Sequence, residues 1–277
     1  MIRQPGSSAR PDLPLAVVIG AGGMGAAIAR RLGDDHRLLV ADRDPERLNA
    51  LESALAAEGR DVATAVCDIT NASSVAALAA QAGPWRTLAH VAALSPNMGD
   101  FHTILSVNLL GARLIERSFL DTASPGSAAI FISSLAAHSP PPPPEMLALF
   151  DDDANPDIVD RVEALVADRQ PRDAYRLSKA AMNRMCRRRA SIWGARGARI
   201  LSLSPGLIAT PMGALEFAAS ADKYALYAKT PLEREGTMVE VAATVAFLAS
   251  SHASFISGTD ILVDGGLAAA LNFPTEK

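Results

Sequence analysis

The 277-residue chain has little cysteine, only Cys67 and Cys186. Two thiols cannot build a disulfide framework or a four-ligand zinc site, and they fit a reducing, cytoplasmic setting as buried groups. Aromatic residues make up 5% of the chain, and its net charge is -4. An acidic chain with few aromatics lacks the basic footprint of a nucleic-acid binder or of a protein drawn to an anionic membrane. No stretch is long and uniformly apolar enough to span a bilayer. The apolar run 15–29 behind Arg10 imitates a signal peptide, but Gly20, Gly22, Gly23 and Gly25 would spoil its helix. Metal-ligand spacing is missing too. The acidic cluster Asp151, Asp152 and Asp153 has no EF-hand pattern and no nearby histidine, and reads as solvated.

What remains is 49% apolar and 20% charged, the composition of an ordinary globular domain. Residues 1–13 read as a disordered leader, and 14–277 as one domain. Leu15–Ile19 has strand character and runs into Gly20-Ala21-Gly22-Gly23-Met24-Gly25, after which 26–32 reads as a helix. This is G-x-G-x-x-G between strand and helix: the glycines permit a tight turn and a close backbone approach to a pyrophosphate. The helix N-terminus adds unpaired N–H groups and partial positive charge. A second strand over 37–41 ends in Asp42, placed to accept hydrogen bonds from adenosine ribose hydroxyls. Asp42 would repel a 2′-phosphate, so NAD is favoured over NADP, although Arg43 could swing onto such a phosphate.

The alternation continues with a helix over 44–58, a strand over 62–66 ending at Cys67-Asp68-Ile69, a helix over 71–81 and a strand over 88–92 ending at Ala92-Ala93. Strand and helix in this rhythm imply right-handed crossovers and a parallel sheet, with ligands at the carboxyl ends of the strands. A helix over 103–120 contains Asn108 and Gly111, poor helix residues whose presence points to packing or polar duties. The strand over 128–132 delivers Ser133 and Ser134 to the same edge.

The rhythm breaks over 135–170, a surface insertion that carries the proline run Pro140 to Pro144 and a helix over 158–167. The prolines read as a stiff spacer rather than a peptide ligand. A helix over 174–192 follows and places Tyr175 and Lys179 one turn apart. Taken alone, such a pair is a common surface accident. An ammonium beside a phenol would also lower the tyrosine pKa into the range useful for proton exchange. The four arginines within 184–189 read as a solvated helix face. A strand over 198–203 runs into the loop Pro205-Gly206-Leu207-Ile208-Ala209-Thr210, where Thr210 could reach a ligand, and 212–229 reads as a helical flap. A helix over 239–248 and a strand over 260–263, closed by Asp264-Gly265-Gly266, complete the chain.

Together the glycine turn, Asp42, Asp68, Asn108, Ser134, Tyr175 with Lys179, Pro205-Gly206 and Val263-Asp264-Gly265-Gly266 resemble the short-chain dehydrogenase/reductase family, over residues 14–268. The resemblance implies a single-domain α/β Rossmann-type fold: a doubly wound parallel sheet of about seven strands with helices on both faces. It implies a nicotinamide cofactor and a tetrad of Tyr175 as general acid/base, Ser134 orienting a carbonyl, Lys179 on ribose and Asn108 holding a relay water. It also implies a homotetramer, or a homodimer, with the apolar tail 263–271 at one interface.

Three departures mark this chain. The glycine turn is one residue shorter than the family's usual form. His90-Val91-Ala92-Ala93 stands in place of N-N-A-G, and the insertion separates Ser134 from Tyr175 far more than usual. A similar insertion occurs in bacterial members like the 3α-hydroxysteroid dehydrogenase/carbonyl reductases, which suggests a bulky ketone or secondary alcohol as substrate. The insertion would then shape one wall of the pocket through Met146, Leu147, Leu149 and Phe150. Two other readings of the same fold are a catalytically silent NAD-binding regulator and an epimerase or dehydratase. The first is opposed by the complete tetrad, the second by the lack of a larger C-terminal substrate domain.

Overall fold

The computed structural model describes residues 12–138, 140–153, 155–210 and 221–273. Most of the expected leader, and residues 212–220 of the expected flap helix, lie outside them. One sheet organises the rest. Its seven parallel strands are β1 (Leu15–Ile19), β2 (Arg37–Asp42), β3 (Val62–Val66), β4 (Trp85–His90), β5 (Ala123–Ile132), β6 (Arg199–Pro205) and β9 (Asp260–Val263), in the order β3-β2-β1-β4-β5-β6-β9. A two-stranded ribbon, β7 (Ile208–Ala209) with β8 (Gly236–Thr237), stands beside it.

The order reverses between β1 and β4, which opens a crevice at the carboxyl ends of those strands. In β1 every residue is buried, and alternate side chains feed two different cores. Val17 and Ile19 face α3 (Ala72–Ala82), α5 (Gly111–Asp121) and α8 (Pro171–Ala195). Ala16 and Val18 face α1 (Gly23–Leu32), α2 (Pro45–Ala57) and α10 (Met238–Ala249), the helix that follows α9 (Ala221–Ala228) in the chain. Helices therefore cover both faces, and each fully buried Leu, Ile or Val contributes about 1.5–3 kcal/mol of transfer free energy.

Local chemistry sets the helix starts. Asp44 caps α2 by accepting from the amides of Glu46 and Arg47, ahead of Pro45. Asn71 caps α3, and Thr237 with Glu240 forms a reciprocal capping box on α10. Strand β4 stops at His90, earlier than its apolar pattern suggests. The amides of Val91 and Ala92 both turn back to the Ile19 carbonyl, at 2.8 Å each, and leave the ladder.

The helix expected over 103–120 is broken in two. α4 (Phe101–Leu105) and α5 flank a π turn at Ser106–Leu110, and this turn carries Asn108. Gly111 opens α5 because a Cβ there would meet the Ile69 side chain at 2.9 Å. The insertion folds into α6 (Pro144–Asp151) and α7 (Ile158–Ala164). Its apolar side chains Met146, Leu149, Phe150, Ile158 and Val162 are buried with Phe101, Ile104, Leu105, Ala174 and Leu177 in a third core behind α4 and α8.

The two charge runs assigned to solvent keep much of their exposure and also pair with each other. Asp151 takes Arg184 through both carboxylate oxygens and Arg188 at 3.1 Å, and Arg189 reaches Glu116 at 2.8 Å. Arg113 donates to the Phe150 and Asp152 carbonyls at the end of α6. The proline run is likewise held close, since Arg176 donates to the Pro140 carbonyl at 2.8 Å.

Candidate active site

A cavity of about 800 Å3 lies along the carboxyl edge of the sheet, and residues from every strand end between β1 and β7 line it. At one end sit Gly20, Gly22, Gly23, Met24 and Gly25. Gly20 has φ +107°, and a Cβ on it would fall 2.7 Å from the Ala92 amide. A Cβ on Gly25 would strike the Gly20 carbonyl, which is why α1 packs this tightly under the turn. α1 has no side-chain cap and no acidic residue in its first turn, so its N-terminal amides stay open to an anion.

Asp42, at the end of β2, accepts the Ala21 amide at 2.7 Å and the Asp44 amide at 3.0 Å. It thereby ties the glycine turn to the second strand, and its remaining lone pairs line the cavity. Arg43 lines the same end, as does Arg47, 3.6 Å from Asp42; Arg47 was not foreseen from sequence because it lies on α2, away from the motif. Asp68 accepts both the amide and the hydroxyl of Thr70, bonds that hold its pKa below the usual carboxylate range. Ile69, Ala92 and Ala93 carry the wall onward, and Pro205, Gly206, Ile208 and Thr210 close it opposite.

These features fit a dinucleotide: a glycine turn in which a Cβ on Gly20 or Gly25 would clash, an uncapped helix start, and a carboxylate at the end of the second strand. Tyr175 and Lys179 lie at the far end of the same cavity. Ser134 stands in the cavity with Tyr175 and acts to lower its pKa. Both serines line the cavity, but the Ser133 hydroxyl donates to the Lys179 carbonyl, which leaves Ser134 as the serine available beside the tyrosine. The Lys179 ammonium lies 5.7 Å from the Tyr175 ring centroid and donates to the Ile132 carbonyl at 2.8 Å.

The electrostatics differ from the simple pairing expected of Tyr175 and Lys179. Burial pushes the tyrosine pKa up, and the neighbouring Ser134 only partly offsets it. Burial also brings Lys179 down to about 7, so near neutrality it is only partly an ammonium. Next to it, fully buried His90 is held to about 3 by desolvation and by the lysine charge, and neither of its ring nitrogens has a partner.

Asn108 does not line the cavity. Its side-chain oxygen accepts the Leu94 amide at 2.8 Å and its nitrogen donates to the Leu94 carbonyl at 2.9 Å. The amide is thus spent on holding the loop after β4, which supports that strand end where the usual asparagines are replaced. The outer wall is made by Leu94, Ser95, Met98, His102, Thr103, Ser106 and Val107. Leu94, Ser95 and Met98 lie in the loop after β4, which no periodic signal marks, while His102, Thr103, Ser106 and Val107 lie on α4 and the π turn, where no motif singles them out. Among the described residues, none of 135–170 lines the cavity. The apolar side chains expected there support α4 from behind, because their own core takes them.

Residues 14–144 match the family model described as short chain dehydrogenase, and 160–268 match that described as enoyl-(acyl carrier protein) reductase. The chain is 36% identical to the short-chain dehydrogenase/reductase bsc3 of Alternaria brassicicola, over 94% of this chain and 98% of that protein. It is 29% identical to the 3-alpha-hydroxysteroid dehydrogenase/carbonyl reductase of Comamonas testosteroni, over 92% of this chain and 96% of that one. The solved structure of a short-chain type dehydrogenase/reductase from Mycobacterium ulcerans shares its fold, with TM-score 0.75 and 23% identity over 92% of this chain and 90% of that chain. The chain therefore belongs to the short-chain dehydrogenase/reductase family, oxidoreductases that act on CH–OH donors.

Proposed function

We propose that the protein reversibly exchanges a hydride between NAD and a secondary alcohol or ketone of bulky, hydroxysteroid-like shape. The observation that carries this reading is that Ser134, Tyr175 and Lys179 line one cavity with the glycine turn and Asp42. Bound nicotinamide would supply the hydride acceptor or donor. The glycine turn and the α1 N-terminus would hold its phosphates, Asp42 its adenosine ribose, and Lys179 the nearer ribose. Tyr175 gives or takes the hydroxyl proton, and Ser134 orients the substrate oxygen beside it.

The substrate class is supported by the apolar side chains Leu94, Met98 and Val107 on the outer wall and by the 29% identical hydroxysteroid/carbonyl relative. The two free, buried cysteines suit a reducing, cytoplasmic setting, and no described helix is long and apolar enough to cross a membrane. The test is NADH production from a panel of secondary alcohols, sterols included. Turnover of bulky members supports the assignment. Cofactor binding with no turnover across the panel would make the protein a silent NAD-binding regulator instead.

A further inference from the structure

Behind the catalytic edge lies a polar cluster that the reading above does not use. The Asp260 side chain on β9 is 1% exposed. One of its oxygens accepts the hydroxyls of Ser202 (2.6 Å) and Ser204 (3.0 Å) on β6, and the other meets His138 Nε2 at 2.9 Å. Asn183, one helical turn past Lys179, donates to the same Ser204 hydroxyl at 3.5 Å. A carboxylate this deep needs compensation, and among the described residues His138 is the one basic side chain paired with it.

His138 ends a single 3-10 turn, Leu135–His138, that begins directly after Ser134. The turn hangs on the serine, whose hydroxyl accepts the Ala136 amide at 3.2 Å and whose carbonyl accepts the Ala137 amide at 3.0 Å. Whatever fixes His138 therefore fixes Ser134, and Asp260 fixes His138 to the last strand of the sheet.

We propose that His138 and Asp260 form a clasp that positions Ser134 against Tyr175, with the Ser202 and Ser204 hydroxyls setting the carboxylate. Neither residue touches substrate; both act through Ser134. The clasp also explains how a long insertion can leave the sheet four residues beyond the serine without loosening it. The inference rests on the dehydrogenase reading only for its kinetic consequence.

The test uses the intact protein and two readouts. The first is the phenolate absorbance titration of Tyr175, with Tyr175→Phe as the blank for the other two tyrosines. Ser134 acts to lower the Tyr175 pKa, so displacing it raises the midpoint. His138→Ala should raise the midpoint in the same direction as Ser134→Ala, and the double variant should go no further than Ser134→Ala alone. His138→Gln, which keeps a donor, should stay near wild type. The second readout is turnover: His138→Ala should lower kcat by ~10- to 100-fold, as a displaced catalytic group does, with cofactor affinity unchanged. If His138→Ala does not fold, Asp260→Asn takes its place with the same expected rise. A wild-type midpoint and kcat in His138→Ala, or additive shifts in the double variant, would overturn the clasp. So would loss of the fold in both His138→Ala and Asp260→Asn, which would assign the pair to the core. If wild type turns over no alcohol, the dehydrogenase reading fails while the titration still decides the clasp.

Discussion

Tyr175 works from a desolvated position, and this sets the direction of its pH dependence. Its pKa is raised, so the phenol is the form present at neutral pH and the phenolate accumulates only as pH climbs. Alcohol oxidation, which needs the phenolate as base, should rise toward alkaline pH, while ketone reduction holds through neutrality. Ser134→Ala should displace the oxidative limb to higher pH, as pH–rate profiles in both directions would reveal. Tyr175→Phe should cost ~10²- to 10⁴-fold in kcat while cofactor still binds; near-normal turnover would remove Tyr175 from the chemistry. His90 offers an independent check on stability. Its folded pKa of about 3 lies below the ordinary 6.5, so between these values the unfolded chain binds the extra proton. Its contribution is intact above about pH 6.5 and is lost as pH falls, at ~1.4 kcal/mol per pH unit. Urea midpoints should show a shallower acid slope in His90→Leu than in wild type.

At the scale of elements, the insertion behaves as a buttress. α6 and α7 bury their apolar faces against α4 and α8, and the arginines of α5 and α8 grip the end of α6. Leu149 and Phe150 are 8% and 3% exposed. Alanine at either should therefore remove about 2–5 kcal/mol of stability, seen as a lower urea midpoint, rather than a selective change in the Michaelis constant for large substrates. An unchanged midpoint with altered substrate preference would return these side chains to the pocket. The π turn has a similar supporting duty. Asn108→Ala would leave the buried Leu94 amide and carbonyl unpaired, at about 1–3 kcal/mol, and slacken the loop that walls the cavity.

For the whole molecule, cofactor choice and assembly are the open proposals. Asp42, with Asp44 and Asp68 nearby, should favour NAD, and fluorescence titration with both dinucleotides tests it. Tighter NADP binding would transfer control to Arg43 and Arg47, which line the same end. The homotetramer proposed from the family draws on the C-terminal elements. Leu267 and Ala268 of α11 (Leu267–Asn272) are buried within the chain itself. Phe247, Phe255, Leu262, Leu271 and Phe273, in contrast, remain exposed. Light scattering should give a multiple of the 28.9 kDa chain at micromolar concentration, and a monomer mass would end the proposal.

The strand–helix rhythm, the glycine turn, Asp42 and the Tyr175/Lys179 spacing were legible because each is a local rule. Periodicity, turn chemistry and one helical turn of separation are written in consecutive residues. The seven-strand parallel sheet followed from the family resemblance and the crossover rule together. Tertiary structure alone decided the rest. It paired Asp151 with Arg184 and Arg188 and so joined two charge runs that look independent in sequence. It turned the Asn108 side chain onto Leu94, made the outer cavity wall from the loop after β4 together with α4 and the π turn, and drew His138 to Asp260 across 122 residues. No local pattern encodes such contacts, because burial and desolvation, which set both their partners and the pKa values of Tyr175, Lys179 and His90, arise only when distant segments close over them.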